Sequence, residues 1–154
     1  MWQRIQTIFL AIAIISLITS IFFPIWSHKE STGKSHYLYA LHYTVVENDE
    51  RTTTYFPYSL TAIFTIASVS IALIEIGKFK NRMLQMKLGA LNSLFLVGTI
   101  GSSLYFATQM IKTYQGAQYG LGIWLPGLAV LCNLLSNRFI RKDEKLVRDS
   151  DRLR

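Results

Sequence analysis

Residues 88–111, LGALNSLFLVGTIGSSLYFATQMI, run for 24 positions without a charged side chain. A helix needs about 20 predominantly apolar residues to cross a hydrocarbon core about 30 Å thick, so the stretch reads as a membrane span. It exceeds the minimum and is expected to tilt or to project beyond the core. Outward from it, three more stretches meet the same test: Ile5–Phe23, Tyr58–Ile76 and Leu121–Asn137. The last carries Pro126 and Gly127 in its first turns, which is tolerable near the start of a membrane helix. Span 5–23 is longer than a signal-peptide core of about 7–15 residues. It ends in Phe22-Phe23-Pro24-Ile25-Trp26 with no small-x-small cleavage site, and reads as an uncleaved first span.

The composition agrees. Charged residues are 16% of the chain and hydrophobic residues 51%, where soluble domains carry roughly 25% charge. The net charge of +7 does not point to nucleic acid, because the charges flank apolar segments instead of lining a soluble surface. The single cysteine, Cys132, excludes an intrachain disulfide and sits in an apolar run, where it behaves as a small hydrophobe. The expected architecture is one all-α membrane domain over residues 1–154, a four-helix bundle.

Orientation follows from the basic residues. Arg4, Lys78, Lys80, Arg82, Lys87, Arg138, Arg141, Lys142, Lys145, Arg148, Arg152 and Arg154 fall on one side; Lys29, Lys34, Arg51 and Lys112 fall on the other. The positive-inside rule places both termini and the 78–87 loop in the cytoplasm. Trp26, Tyr55, Phe56, Tyr58, Tyr114, Tyr119 and Trp124 cluster where the outer interface is expected, and Trp2, Phe79 and Phe139 at the inner one.

Each span carries small or polar residues spaced by three and four, hence on one face. These are Gln6, Ala13 and Ser20; Thr61, Thr65, Ser68, Ala72 and Glu75; Gln85, Gly89, Asn92, Thr99 and Ser103; and Gly122, Pro126, Ala129, Asn133 and Ser136. Such stripes let helices approach closely and hydrogen-bond across the bundle. Intramembrane polar groups also mark pathways for ions or solutes, so Glu75, Asn92 and Asn133 are candidates for packing or for a pathway. Glu75, at the inner end of its span, is expected to reach Lys78 three residues on.

The connection 24–57 is too long for a turn. Tyr37, Tyr39, Leu41, Tyr43 and Val45 alternate with His36, His42 and Thr44, the period of a β-strand. With Glu47-Asn48-Asp49-Glu50 as a turn and residues 51–56 as a second strand, it reads as a small β-hairpin. His36 and His42 would stand about 20 Å apart on such a strand, and His28 lies in a lead-in. Neither a zinc ligand set nor a nucleophile–base pair, a phosphate loop or paired carboxylates is evident. No cofactor and no enzymatic activity are expected.

The tail, residues 138–154, holds seven basic residues against Asp143, Glu144, Asp149 and Asp151. Phe139, Leu146 and Leu153 recur every seven residues, a narrow apolar stripe on a cytoplasmic helix. Arg141, Lys142, Lys145, Leu146, Arg148, Arg152 and Leu153 are the candidate contacts, either with anionic headgroups or with a protein partner.

The opening Met1-Trp2-Gln3-Arg4-Ile5-Gln6-Thr7, the Phe23-Pro24-Ile25-Trp26 closing span one and the terminal Arg141-Lys142-Asp143-Glu144-Lys145-Leu146-Val147-Arg148 with Asp151-Arg152-Leu153-Arg154 resemble a family of small four-span inner-membrane proteins of Bacteroidetes, a domain of unknown function. The resemblance implies a bacterial inner membrane and a periplasmic hairpin, and brings no activity or catalytic residues. The layout is also similar to that of claudin-like proteins, without their paired external cysteines; layout alone does not carry function. Besides the lipid bilayer, the expected partner is a protein in a membrane complex or a second copy of the chain. The leading expectation is a non-enzymatic subunit or scaffold, and the alternative is a small transporter or channel component using Asn92 and Asn133.

Overall fold

The computed structural model describes residues 2–79, 81–114 and 118–152, with side chains for 5–79, 81–114 and 118–149. Expectations resting on Lys80, Leu153 and Arg154, or on the side chains of Trp2, Arg4 and Arg152, lie outside the described residues. Among the described residues the chain forms α1 (Trp2–Phe22), β1 (Trp26–Lys29), β2 (Ser35–Leu38), β3 (Tyr43–Glu47), β4 (Glu50–Thr54), α2 (Leu60–Gly77), α3 (Arg82–Thr113), β5 (Gln118–Tyr119) and α4 (Leu121–Arg152). Each of the four helices is long and apolar enough to cross a membrane.

The helices pack as a bundle in which α1 meets α4 and α2, and α3 meets α2 and α4. The small and polar stripes turn inward. Gln6, Ala13, Ser20, Thr61, Thr65, Ser68, Ala72, Glu75, Gln85, Asn92, Thr99, Ser103, Ala129, Asn133 and Ser136 are all buried. The large aliphatic residues turn outward instead, Ile8, Ile15, Ile63, Leu94, Val97 and Leu131 among them. This inversion of the soluble pattern is the one a solvent as apolar as leucine would select, since there only close backbone approach and interhelical hydrogen bonds favour an interior.

The all-α architecture with a single hairpin is not what the chain adopts. Beside the four helices stands a five-stranded antiparallel sheet, in the order β4-β3-β2-β1-β5. The expected strand 37–45 is two strands, because the chain reverses at Tyr39–His42, where the Tyr39 N–H donates to the His42 carbonyl at 2.8 Å. No glycine or proline marks that reversal. Its cause is tertiary: Ala40 is buried, and its carbonyl accepts from the Ala62 N–H at the start of α2 (3.0 Å). The Asn48-Asp49 turn forms where expected, with Glu47 opposite Glu50 and φ of 48° and 66° at its two central residues. Both angles positive is the geometry of a tight hairpin turn, which Asn and Asp tolerate better than other side chains.

The lead-in to the hairpin is itself a strand. β1 pairs with β2 on one side, Trp26 opposite Leu38, and with β5 on the other, Trp26 opposite Tyr119. Trp26, expected at a lipid interface, is fully buried in a cluster with Ile25, Leu38, Ala40, Ala62, Phe106 and Ala107. That cluster joins the sheet to α2 and α3, so the sheet shares its core with the bundle.

The tail is helical as far as Arg152, among the described residues, but as a continuation of the fourth span. α4 runs without a break from Leu121 to Arg152, with Pro126 accommodated inside it. Span and tail are one rod of 32 residues, about 48 Å long at 1.5 Å per residue.

Candidate functional site

The middle of the bundle is laced by side-chain amides. Ser68 Oγ in α2 donates to Asn92 Oδ1 in α3 at 2.5 Å, and Asn92 Nδ2 donates to Asn133 Oδ1 in α4 at 3.2 Å. Asn133 Nδ2 continues to Ser93 Oγ at 2.9 Å and to the Gly89 carbonyl at 3.3 Å. Both amides thus have their oxygen and their nitrogen engaged by protein. Gly89 permits the approach: a Cβ there would overlap the Asn137 side chain. The first helix is tied in by Ser16 Oγ, which donates to the Leu125 carbonyl (2.7 Å), and by Ser136 Oγ, which donates to the Gln6 carbonyl (3.4 Å). Of the three intramembrane candidates, Asn92 and Asn133 are therefore in direct contact and Glu75 stands apart.

Glu75 lies seven residues from Ser68, two turns nearer the end of α2. It does not reach the surface to pair with Lys78. Its side chain is fully buried and neither carboxylate oxygen has a partner among the described residues. The contact at this level comes from α3, where Gln85 Nε2 donates to the Glu75 backbone carbonyl at 3.0 Å. Buried acids away from a counter-charge are costly and therefore informative.

At the other end, the sheet gathers rings that sequence spacing had kept apart. His28 stands directly opposite His36 across the β1–β2 ladder, and both rings pack on Tyr114, with centroids 5.4 and 4.5 Å away. The Tyr43 hydroxyl lies 2.7 Å from His36 Nδ1 and donates to it when the neutral imidazole carries its proton on Nε2. Tyr114 follows α3, about 80 residues from the histidines, so no local pattern could have placed it there. Burial holds the His36 imidazole below its ordinary value against the opposing pull of Glu30, with smaller lowering contributions from His28 and Lys34. Burial also lowers His42. The unfolded chain takes up these protons near pH 6.5 while the folded sheet resists them. Stability from the neutral rings is thus present above that pH and lost as pH falls below it. Thermal melts followed by tryptophan fluorescence are expected to show a midpoint that drops between pH 7.5 and 5.5, with a weaker drop in His36→Gln. An unchanged midpoint over that interval refutes the assignment.

A family model described as "Domain of unknown function (DUF4293)" matches residues 2–153. The chain belongs to that family. No curated protein matches it.

In this DUF4293 member the far end of α4 divides into two parts. Phe139 stacks on Phe9 of α1, with centroids 5.6 Å apart and planes at 11°, and Ile140 is fully buried. Asp143 holds the start of α3, its carboxylate 3.2 Å from Arg82 Nη2 and its carbonyl 3.1 Å from Nη1. These residues belong to the bundle, so the seven-residue apolar stripe is interrupted at its first member. Arg141, Lys142, Lys145, Leu146 and Arg148 are exposed; Arg152 has only its backbone described, as the last residue of α4, and Leu153 lies outside the described residues.

Proposed function

We propose that this chain is a non-enzymatic subunit or scaffold of a membrane complex, embedded in a bacterial inner membrane with both termini cytoplasmic and the sheet periplasmic. The observation that carries the reading is the unbroken course of α4. The chain entering it is bonded to the sheet, where the Gly120 N–H donates to the Ile25 carbonyl at 2.9 Å and the Gly122 N–H to the Pro24 carbonyl at 3.0 Å. The same helix ends in exposed turns around Lys145–Arg148 that carry basic residues interspersed with acids. One rigid element thus connects the two specialised ends of the molecule. Membrane insertion is supported by the outward aliphatic faces, which only lipid or another protein could cover. The orientation is supported by twelve basic residues on one side against four on the other.

The engaged state of Asn92 and Asn133 supports packing over a pathway, since amides that bond each other are not available to a passing solute. The test is co-purification in mild detergent of the full chain and of a chain ending after Glu144. That cut spares Ile140 and the Arg82–Asp143 pair and removes Lys145, Leu146, Arg148, Arg152 and Leu153. Proteins held stoichiometrically by the first and lost from the second are the expected result. A solitary protein in both preparations, or a C-terminal reporter active only outside the cytoplasm that proves active, would end the proposal.

A further inference from the structure

Four buried side chains, one from each helix, sit near one level of the bundle with oxygens that nothing among the described residues satisfies. Gln85 of α3 is fixed to α2 by its bond to the Glu75 carbonyl. One turn on, Gly89 is covered by the Asn137 side chain of α4. Ser136, next to Asn137, is bonded to the Gln6 carbonyl of α1. Leu10, one turn beyond Gln6, shares a buried cluster with Ala72, which lies one turn before Glu75 on α2. Gln6, Glu75 and Gln85 are at most 2% exposed and Asn137 is 9% exposed. Gln6 Oε1, Glu75 Oε1 and Oε2, Gln85 Oε1 and Asn137 Oδ1 all lack a hydrogen-bond partner.

We propose that this level of the bundle is a binding site for one alkali-metal cation, with the Glu75 carboxylate and the side-chain carbonyls of Gln6, Gln85 and Asn137 as its oxygen donors. The chemistry of the donor set carries the assignment. All five atoms are acceptors without a donor, and one of the two Gln85 amide N–H groups is committed to a backbone carbonyl. A proton on Glu75 would join two of these five oxygens and leave three unanswered. A hard cation takes several oxygens at once. Its charge follows from balance: one carboxylate among neutral amides compensates +1, and a divalent ion would leave an unmatched charge in a low-dielectric interior. Arg82, the nearby cation at the start of α3, is already held by Asp143. The site lies one to two turns from the Ser68–Asn92–Asn133 ladder, near the α2–α3 connection, so an ion would enter from the end of the bundle opposite the sheet.

The test uses the full chain purified in detergent and titrated with sodium or potassium chloride against N-methylglucamine chloride at constant ionic strength. The expected result is an unfolding midpoint that rises saturably with an alkali cation, by about 5 °C, and does not respond to glucamine. Glu75→Gln, which keeps the shape and removes the charge, should abolish the response. Equal midpoints in all three salts, or a response that survives Glu75→Gln, overturns the proposal. Should that variant fail to fold, equilibrium binding of radioactive sodium or rubidium to the unaltered chain decides: about one ion per chain supports the site and none overturns it. A protonated-carboxyl infrared band that persists at saturating salt would also overturn it, in favour of a buried neutral acid.

Discussion

Gly122→Ala is expected to be among the most damaging single-methyl changes in the chain, lowering stability by about 3 kcal/mol. The first turn of α4 crosses the end of α1 at this glycine, and a Cβ there would strike the backbone carbonyls of Phe23 and Pro24. Side chains can swing away from an intruder, but these carbonyls cannot. The Pro24 carbonyl also accepts the Gly122 N–H, so relieving the clash breaks the bond that helps seat α4 against the sheet. Gly101 supplies the control, since a Cβ there meets nothing. Gly101→Ala should be neutral or stabilising by up to about 1 kcal/mol, through reduced backbone freedom in the unfolded chain. Unfolding in mixed micelles, followed by tryptophan fluorescence, reads both. Equal midpoints for the two variants would mean that α1 and α4 do not cross as closely as described.

Asn133→Leu is the second large effect, expected at about 2–3 kcal/mol. Interhelical hydrogen bonds in membrane bundles average about 0.6 kcal/mol and reach about 1.7. Asn133 takes part in three of them, with Asn92, Ser93 and the Gly89 carbonyl. Leucine would leave Asn92 Nδ2 without its acceptor in a dry interior, so the loss includes the orphaned partner as well as the bonds. Asn92→Leu should cost about as much. The double variant should cost less than the sum of the two by about 1 kcal/mol, because the second change removes a group already stranded by the first. Strict additivity in that cycle would show that the two amides do not support each other.

The inward faces of the helices were legible in the sequence. A period of three and four needs only the chain's own geometry, and it marked a buried stripe on every helix, though it missed Ser16 and Asn137, which are buried as well. The Asn48-Asp49 turn was legible for the same reason: its backbone angles depend on the residues that occupy it. The sheet was misread where the deciding contact was distant. Alternation along 37–45 fits one strand or two, and the reversal at Ala40 comes from α2. β1 gave no signal of its own because Trp26-Ser27-His28-Lys29 becomes a strand only between β2 and a partner more than 80 residues later.

The candidate site divides along the same line. Sequence spacing put Asn92, Asn133 and Glu75 on inward faces, and could not say that the first two bond each other while the third is left unpaired. Its position three residues before Lys78 suggested a surface ion pair; the depth at which α2 sits between α1 and α3 removed Glu75 from that surface. Periodicity, span length and charge distribution are sums over neighbouring residues, and the sequence by itself determined them. Sheet order, the continuity of α4 with the bundle and the grouping of Gln6, Glu75, Gln85 and Asn137 depend on contacts between residues far apart in the chain. Those contacts exist only once the helices have chosen their partners, and only the tertiary structure decided them.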